Sequence, residues 1–397
     1  MHEEEPGREA AVPRTAGAAL ALALAAAVSL GLARFSYALL LPPMRQDLAW
    51  SYVTAGGMNT FNAAGYLLGA LLMPRLMRRF DARLLMLAGG AGSALLLALH
   101  AGTRSDAVLI VLRTATGVCS AFSFVGGGLL AARLASLASA RAGLVLGVYY
   151  GGVGIGIIGS ALLVPPLVDA QAARWPAAWL ALAAAAALLT VLTAAGTRGL
   201  VAPPPPPGER TRLAMRTLAF GLAGYAMFGL GYIAYMTFII TLLREQGLSG
   251  AGVIAFYVLL GLGVLASSWL WAGLLQRHRN GRPMALLNGL LALATVLPVA
   301  SAHPLAVYAS GALFGGVFLS VVASTTALVR HNLAPAAWPA GIAVFTIVFA
   351  AGQIVGPTVV GWIADGSGGL ARGFVASAAM LALGALLASL QRALPRP

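Results

Sequence analysis

The sequence predicts an all-α membrane protein of twelve transmembrane helices in two pseudo-symmetric six-helix bundles, on three observations. The chain of 397 residues is 60% hydrophobic and only 9% charged, with a mean hydropathy of +0.88, whereas soluble chains carry about 25% charged residues. Divided into spans of about 20 residues, its apolar content fills about twelve. Short local matches recur at an offset near half the chain length. This composition excludes a soluble enzyme, a disordered chain and a secreted disulfide scaffold. It also excludes an outer-membrane barrel, whose strands alternate polar and apolar residues instead of running apolar for 20.

The apolar runs fall at about 16–41, 52–73, 84–101, 107–130, 143–165, 175–196, 216–243, 250–275, 284–302, 304–329, 340–363 and 371–391. The breaks carry Arg, Asp, Pro or Gly, as in Pro42-Pro43-Met44-Arg45-Gln46-Asp47. The residues before the first run, Met1 to Arg14, hold four Glu and two Arg. A secretory signal would begin basic, so the first run is expected to be a retained helix. The connections are short except for 197–215, which holds five consecutive prolines, Pro203 to Pro207, between Arg198 and Arg210. A proline run is stiff and extended and cannot continue a helix. The expected organisation is therefore a bundle over 1–200, a Pro-rich linker over 201–215 and a second bundle over 216–397.

All 25 basic residues are Arg, and the net charge is +14. Most arginines sit singly or in short clusters between apolar runs, which fits cytoplasmic loops better than nucleic-acid binding. With twelve spans, 18 arginines fall on the side of the termini, five on the other, and Arg34 and Arg113 inside spans. The bias places both termini and the Pro loop in the cytoplasm of a multi-pass protein of the cell (inner) membrane. The single cysteine, Cys119, lies in an apolar run and forms no intrachain disulfide.

The repeat supports two bundles. Gly31-Leu32-Ala33-Arg34-Phe35-Ser36-Tyr37 matches Gly229-Leu230-Gly231-Tyr232-Ile233-Ala234-Tyr235 at an offset of 198, Asp47 meets Glu245 and Ser51 meets Ser249. Gly152-x-x-x-Gly156 resembles Gly352-x-x-x-Gly356. Two parallel six-helix repeats place a binding site near midplane, between the halves.

These features resemble the major facilitator superfamily over essentially the whole chain. The turn after span 2, Pro74-Arg75-Leu76-Met77-Arg78-Arg79-Phe80-Asp81-Ala82-Arg83, keeps the basic residues of the superfamily's loop motif, with Arg78 where an acid is usual. A looser copy, Gly273 to Arg282, follows span 8, and Arg113-Thr114-Ala115-Thr116-Gly117 matches the Arg–Gly pattern of span 4. Ala33-Arg34-Phe35-Ser36-Tyr37 leading to Leu41-Pro42-Pro43-Met44, Gly231-Tyr232-Ile233-Ala234-Tyr235 leading to Leu243-Arg244-Glu245, and Gly352-Gln353-Ile354-Val355-Gly356-Pro357 resemble its bacterial YbfB/YjiJ-like branch. The resemblance implies the major facilitator fold, spans 1, 4, 7 and 10 lining a cavity, and transport by alternating access. The antiporter glycine pattern of span 5 is incomplete, since Ile157 stands where Pro is expected beside Gly143, Gly152 and Gly156.

Arg34 and Arg113 are the sharpest candidates. At 1.5 Å per residue both lie about 7 Å outward of the span centres, at one depth. A buried Arg costs roughly 2.5–3.5 kcal/mol there unless it is paired or hydrated. All eleven acids lie at span ends or in loops. Two cations without protein counter-charge attract an anion, and the Arg fork suits carboxylate or phosphate. Structural roles stay open for both: snorkelling or carbonyl bonding for Arg34, and packing or proton coupling for Arg113. Tyr37, one turn from Arg34, with Tyr232 and Tyr235 on one face of span 7, could line the site, or could serve only as packing. Asn62, Tyr150 and Gln353 are further candidates, with Asn59 and Tyr149, although amides within spans often join helices instead. Arg75, Arg78, Arg79, Arg83, Arg277 and Arg282 are expected to latch each half against the other on the cytoplasmic side.

Gly154-Ile155-Gly156-Ile157-Ile158-Gly159 fits a dinucleotide fingerprint only in letters, because it lies inside an apolar helix. His2, His100, His278, His303 and His331 lack metal-ligand spacing. The absence of any Lys rules out a Walker lysine. No cofactor, metal or nucleic acid is expected, and no enzymatic activity. The expected function is secondary or facilitative transport of a small organic anion, by a monomer in the lipid bilayer. The alternatives are proton-coupled efflux of neutral sugars or lipophilic drugs, and a non-transporting membrane sensor or assembly protein. The last predicts a large soluble domain or a long tail, and only about six residues follow span 12.

Overall fold

The computed structural model describes residues 8–138, 141–169, 171–201, 215–334 and 337–394. The expected Pro-rich linker lies almost entirely outside the described residues. Among them, twelve long helices follow one another: α1 (Thr15–Asp47), α2 (Tyr52–Leu76), α3 (Ala82–His100), α4 (Asp106–Leu137), α5 (Ala142–Leu163), α6 (Trp175–Gly196), α7 (Ala219–Glu245), α8 (Gly250–Leu270), α9 (Arg282–Ala300), α10 (Pro304–Asn332), α11 (Trp338–Asp365) and α12 (Gly369–Ser389). Eleven are long and apolar enough to cross a membrane. The other, α2, is long enough at 25 residues but carries Asn59, Thr60 and Asn62 in its middle. Those side chains are spent on neighbouring helices, as described below.

Helix–helix contact follows the repeat. Within the first six helices α4 packs on α2 and α3, and within the last six α7 and α9 pack on α12 while α8 packs on α10. The halves meet along two seams, α5 against α8 and α2 against α11, and the end of α1 also touches α7. Under the repeat α5 corresponds to α11 and α2 to α8, so the two seams are copies of each other.

Two features of α1 depart from the sequence reading. The break expected at Pro42–Asp47 is helical to Asp47, with Pro42 and Pro43 inside. Proline's fixed φ suits a helix; what it removes is two N–H donors, here in the last turns. Further back, Ala27–Phe35 winds as a π-helix, all nine residues buried, with Ser36 N–H donating to Gly31 O at 3.1 Å. Side chains bond three carbonyls near the junction of this segment with the α-helix that follows. Ser36 Oγ donates to Leu32 O at 2.5 Å. Arg113 Nη1 donates to Ala33 O at 3.2 Å. Tyr257 of α8 donates its hydroxyl to Phe35 O at 2.6 Å.

The π segment also lies in close contact with α5. A Cβ on Gly31 would run into the backbone of Gly156, and one on Gly156 would run into Ala27 and Gly31. Small residues let membrane helices approach this far, and dispersion between backbones then holds them. Gly156→Leu is therefore expected to abolish monodisperse protein on size-exclusion chromatography. Gly143→Leu, with nothing within 4 Å of its Cβ, should leave the elution profile unchanged.

Candidate functional site

The polar groups of the helix interiors converge where the two halves touch. Arg34, 4% exposed, projects from the π segment. Its Nη2 donates to Gln353 Oε1 of α11, across the seam. Its Nε is buried without a hydrogen-bond partner. The guanidinium lies 5.5 Å from the ring centre of Tyr66 and 5.9 Å from that of Phe35. An unmade hydrogen bond at a buried polar group costs about 1–3 kcal/mol, more when the group is charged.

Arg113, 1% exposed, is held differently. Its nitrogens donate to Ala33 O at 3.2 Å, Met58 O at 3.4 Å and Asn59 Oδ1 at 3.4 Å, and its guanidinium stands 4.6 Å from the ring centre of Tyr37. These bonds are long for N–H···O, and all go to neutral acceptors. Asn59 passes the connection on: its Nδ2 donates to Thr237 of α7 at 2.6 Å, and Thr237 donates to Ile233 O at 2.6 Å. Next to it, Thr60 donates to Ile354 O at 2.7 Å and lies 2.8 Å from Thr358 Oγ1. The acids whose side chains are described, Asp47, Asp81, Asp106, Asp169, Glu245 and Asp365, all lie at helix ends, so among them none lies at the depth of either cation.

The other predicted residues divide between this junction and the two half-bundles. Tyr232 belongs to an aromatic layer of the C-terminal half, with ring centres 4.7 Å from Phe228, 5.4 Å from Phe349 and 6.0 Å from Phe318. Phe318 in turn meets Phe35 edge-on at 5.8 Å across the seam. Tyr37 donates to Ala55 O of α2 at 2.8 Å, inside the N-terminal half. Tyr235 donates to Ser310, which donates to Ala294 O at 2.6 Å, and its ring stacks on Phe314 at 3.8 Å, inside the C-terminal half. Asn62 Nδ2 donates to Arg113 O at 3.0 Å and joins α2 to α4. Tyr150 is 43% exposed and packs against Tyr149 and Phe124. The structure thus pairs Arg34 with Gln353 and Arg113 with Asn59, the two pairs being linked through the Arg113 bond to Ala33 O. The sequence reading missed Thr237, Thr60, Tyr66, Phe318, Phe349 and the π segment, because single hydroxyl and aromatic residues in apolar runs carry no local signal.

One face of the molecule is tied shut by acids at the helix ends. Asp365, ending α11, accepts from the N–H groups of Tyr52 and Val53 at 2.7 and 2.9 Å, while Ser51 accepts from Thr54 N–H at 3.1 Å. Three of the free donors at the start of α2 are thereby satisfied, two of them from the opposite half. At the start of α8, Ser249 accepts from Gly252 N–H at 3.2 Å. Asp169 lies so near that a Cβ on Gly250 would overlap its carboxylate, and it pairs with Arg244. Glu245 accepts from Tyr52 and lies 3.9 Å from Arg45. Among the described residues the opposite face carries no such ties. Arg75, Arg78, Arg79, Arg277 and Arg282 are exposed, and Arg83 bonds within its own half, to Thr197 at 3.2 Å and Ala194 O at 2.7 Å.

A family model described as the uncharacterised MFS-type transporter YbfB matches residues 26–389. The chain belongs to this family. No curated protein matches the chain. Solved structures share its architecture. A bacterial homolog of the human lysosomal transporter Spinster superposes with a TM-score of 0.73 at 14% identity, covering 96% of this chain and 97% of the other. A mutant of the nucleoside transporter NupG superposes with a TM-score of 0.72 at 12% identity, covering 94% and 99%. The protein is therefore a multi-pass membrane transporter of the major facilitator fold, acting on a small-molecule substrate.

The Asp365 tie gives a direct test of the closed face. Asp365→Ala removes a cap of about 0.5–2 kcal/mol. In a Cys119→Ser background, Asn59→Cys should then react roughly 2- to 30-fold faster with a maleimide supplied from that face, the factor that about 0.5–2 kcal/mol makes in a two-state ratio. An unchanged rate would show that Asp365 does not hold the face closed.

Proposed function

We propose that this transporter moves a small organic anion by alternating access between its two six-helix bundles, with Arg34 as the residue that binds it. The observation that carries this reading is the buried Arg34 guanidinium, with a neutral amide on one nitrogen, an unpartnered Nε and, among the described acids, no carboxylate at its depth. An unpaired Arg in a membrane interior costs roughly 2.5–3.5 kcal/mol. An anion about 4 Å away at an effective dielectric of about 20 returns about 4 kcal/mol, enough to offset that cost. A guanidinium also recognises carboxylate geometry, which an ammonium does not.

Arg113 has a supporting role in this reading. Its donors are taken by carbonyls and Asn59, so it adds positive potential and fixes Ala33 beside Arg34. Tyr232, with Phe318 and Phe349, provides the wall of the C-terminal half, and Tyr37, Tyr235 and Asn62 hold their own bundles in shape. Tyr150 stands apart from this cluster.

The arginine bias puts both termini in the cytoplasm of the cell membrane, and the face tied by Asp169, Glu245 and Asp365 then looks outward. In the reverse state, Arg75, Arg78, Arg79, Arg83, Arg277 and Arg282 would meet the opposite half on the cytoplasmic side. Outward movement of one negative charge releases about 2.3 kcal/mol per 100 mV of interior-negative potential. Export of an anion therefore runs without a coupled proton.

Flux into proteoliposomes tests this reading. Radiolabelled carboxylates should cross faster than into empty liposomes, and Arg34→Ala should reduce that flux to background while the protein keeps its elution profile. Arg34→Lys should restore little of it, because the fork is lost. Movement of neutral or cationic compounds, with carboxylates at background, would overturn the anion.

A further inference from the structure

Arg34 presents one edge, Nε–H and Nη2–H side by side, to which a carboxylate can bind through two parallel hydrogen bonds. In the structure one of its two nitrogens is engaged and the other is not. Gln353 Oε1 occupies Nη2, and Nε, on the same edge, is buried without a partner. Both residues are 4% exposed. An amide oxygen from α11 thus already holds Nη2, one of the two nitrogens a carboxylate would bind, and the other has no partner.

The position of Gln353 gives this arrangement mechanical meaning. It is one of three ties between α11 and the N-terminal half, with Ile354 and Thr358 on Thr60 and Asp365 on the start of α2. Asp365 lies twelve residues along the same helix, about 18 Å away at 1.5 Å per residue. A ligand that removes the Gln353 tie frees α11 from α1 and leaves it held to α2 alone, through Thr60 and through Asp365.

We propose that Gln353 is a displaceable place-holder on Arg34: a substrate carboxylate takes the Nε–Nη2 edge, expels the amide, and by doing so releases the tie between α1 and α11. This rests on the anion reading and adds a specificity rule to it. A neutral ligand that offers one acceptor exchanges one oxygen for another and gains nothing. A carboxylate supplies charge and the missing second acceptor, so it alone displaces the amide.

The experiment is a thermal-shift titration of the full-length protein in detergent with benzoate, using benzamide as the neutral control and inorganic phosphate as a second anion. Wild type should be stabilised by benzoate and not by benzamide. Gln353→Ala, which empties the place, should bind benzoate about tenfold or more tightly, a tenfold change being 1.4 kcal/mol. Gln353→Glu should fill both positions from within, so it should melt higher than wild type without ligand and lose its response to benzoate. If Gln353→Ala does not fold, Gln353→Glu carries the test alone. Wild-type benzoate affinity in both variants, or in Gln353→Glu alone, would overturn the place-holder while leaving the anion reading intact. An equal response of wild type to benzamide would also overturn it. A wild type that responds to phosphate and not to benzoate would keep an anion site and overturn the carboxylate. No response of wild type to either anion would overturn the anion reading, and the place-holder with it.

Discussion

A cation inside a membrane has to be satisfied by the protein around it, because hydrocarbon offers neither water nor counter-ions. Two guanidinium groups impose that requirement here, and much of the helix geometry answers to it. Arg113 draws carbonyl oxygens from α1 and α2 and an amide oxygen from Asn59. Ala33 O of the π segment accepts from Arg113, and two residues on Phe35 O accepts from Tyr257 of the other half. The local irregularity, the buried charge and the contact between halves are therefore one physical problem. Arg34 is the residue for which the protein supplies only part of the answer.

The two seams show how a repeated sequence makes a closed surface. Ser51 and Ser249 cap the two equivalent helices from within. Asp365 and Asp169, each following the equivalent helix of the opposite half, approach the same two helix ends from outside. An acid at a helix N-terminus is favoured by hydrogen bonding and by the helix dipole together. The symmetry is incomplete. Asp365 spends both oxygens on backbone N–H groups, whereas Asp169 also pairs with Arg244. Glu245 adds its bonds to the α2 side alone.

The fold was legible because hydrophobic length and loop charge are read over windows of many residues, where single errors average out. The spans came from such windows, while the two bundles and the family resemblance rested on short motifs that recur or match in order. Arg34 was legible for a related reason, since a charge in an apolar run is conspicuous. Its partner was less so. Gln353 stood among several amides, and nothing in the spacing joins positions 319 residues apart. The winding of α1 left no trace in its residues, because a π turn is selected by what surrounds it. Pro42-Pro43 misled for the complementary reason. Proline usually ends helices, yet here the helix runs on to Asp47. Asp47, Asp169, Glu245 and Asp365 could be seen at span ends, but which helix starts they meet depends on how the halves face each other.

The slipped thread in α1 also bears on how relatives of this chain can diverge. Residues ahead of Ala27 pack chiefly on α4, α5 and α6, and residues beyond Phe35 chiefly on α7, with Tyr37 bonded to α2. Deleting one residue between them would let the stretch rewind as a plain α-helix with the flanking sets nearly in their present relative orientation, because a π stretch absorbs about one extra residue. Such a deletion would be silent in a hydropathy plot and would still change which groups the stretch presents to its neighbours. A gap of one residue here would therefore mark a relative whose Arg34 has different surroundings, however well the rest of its chain aligned.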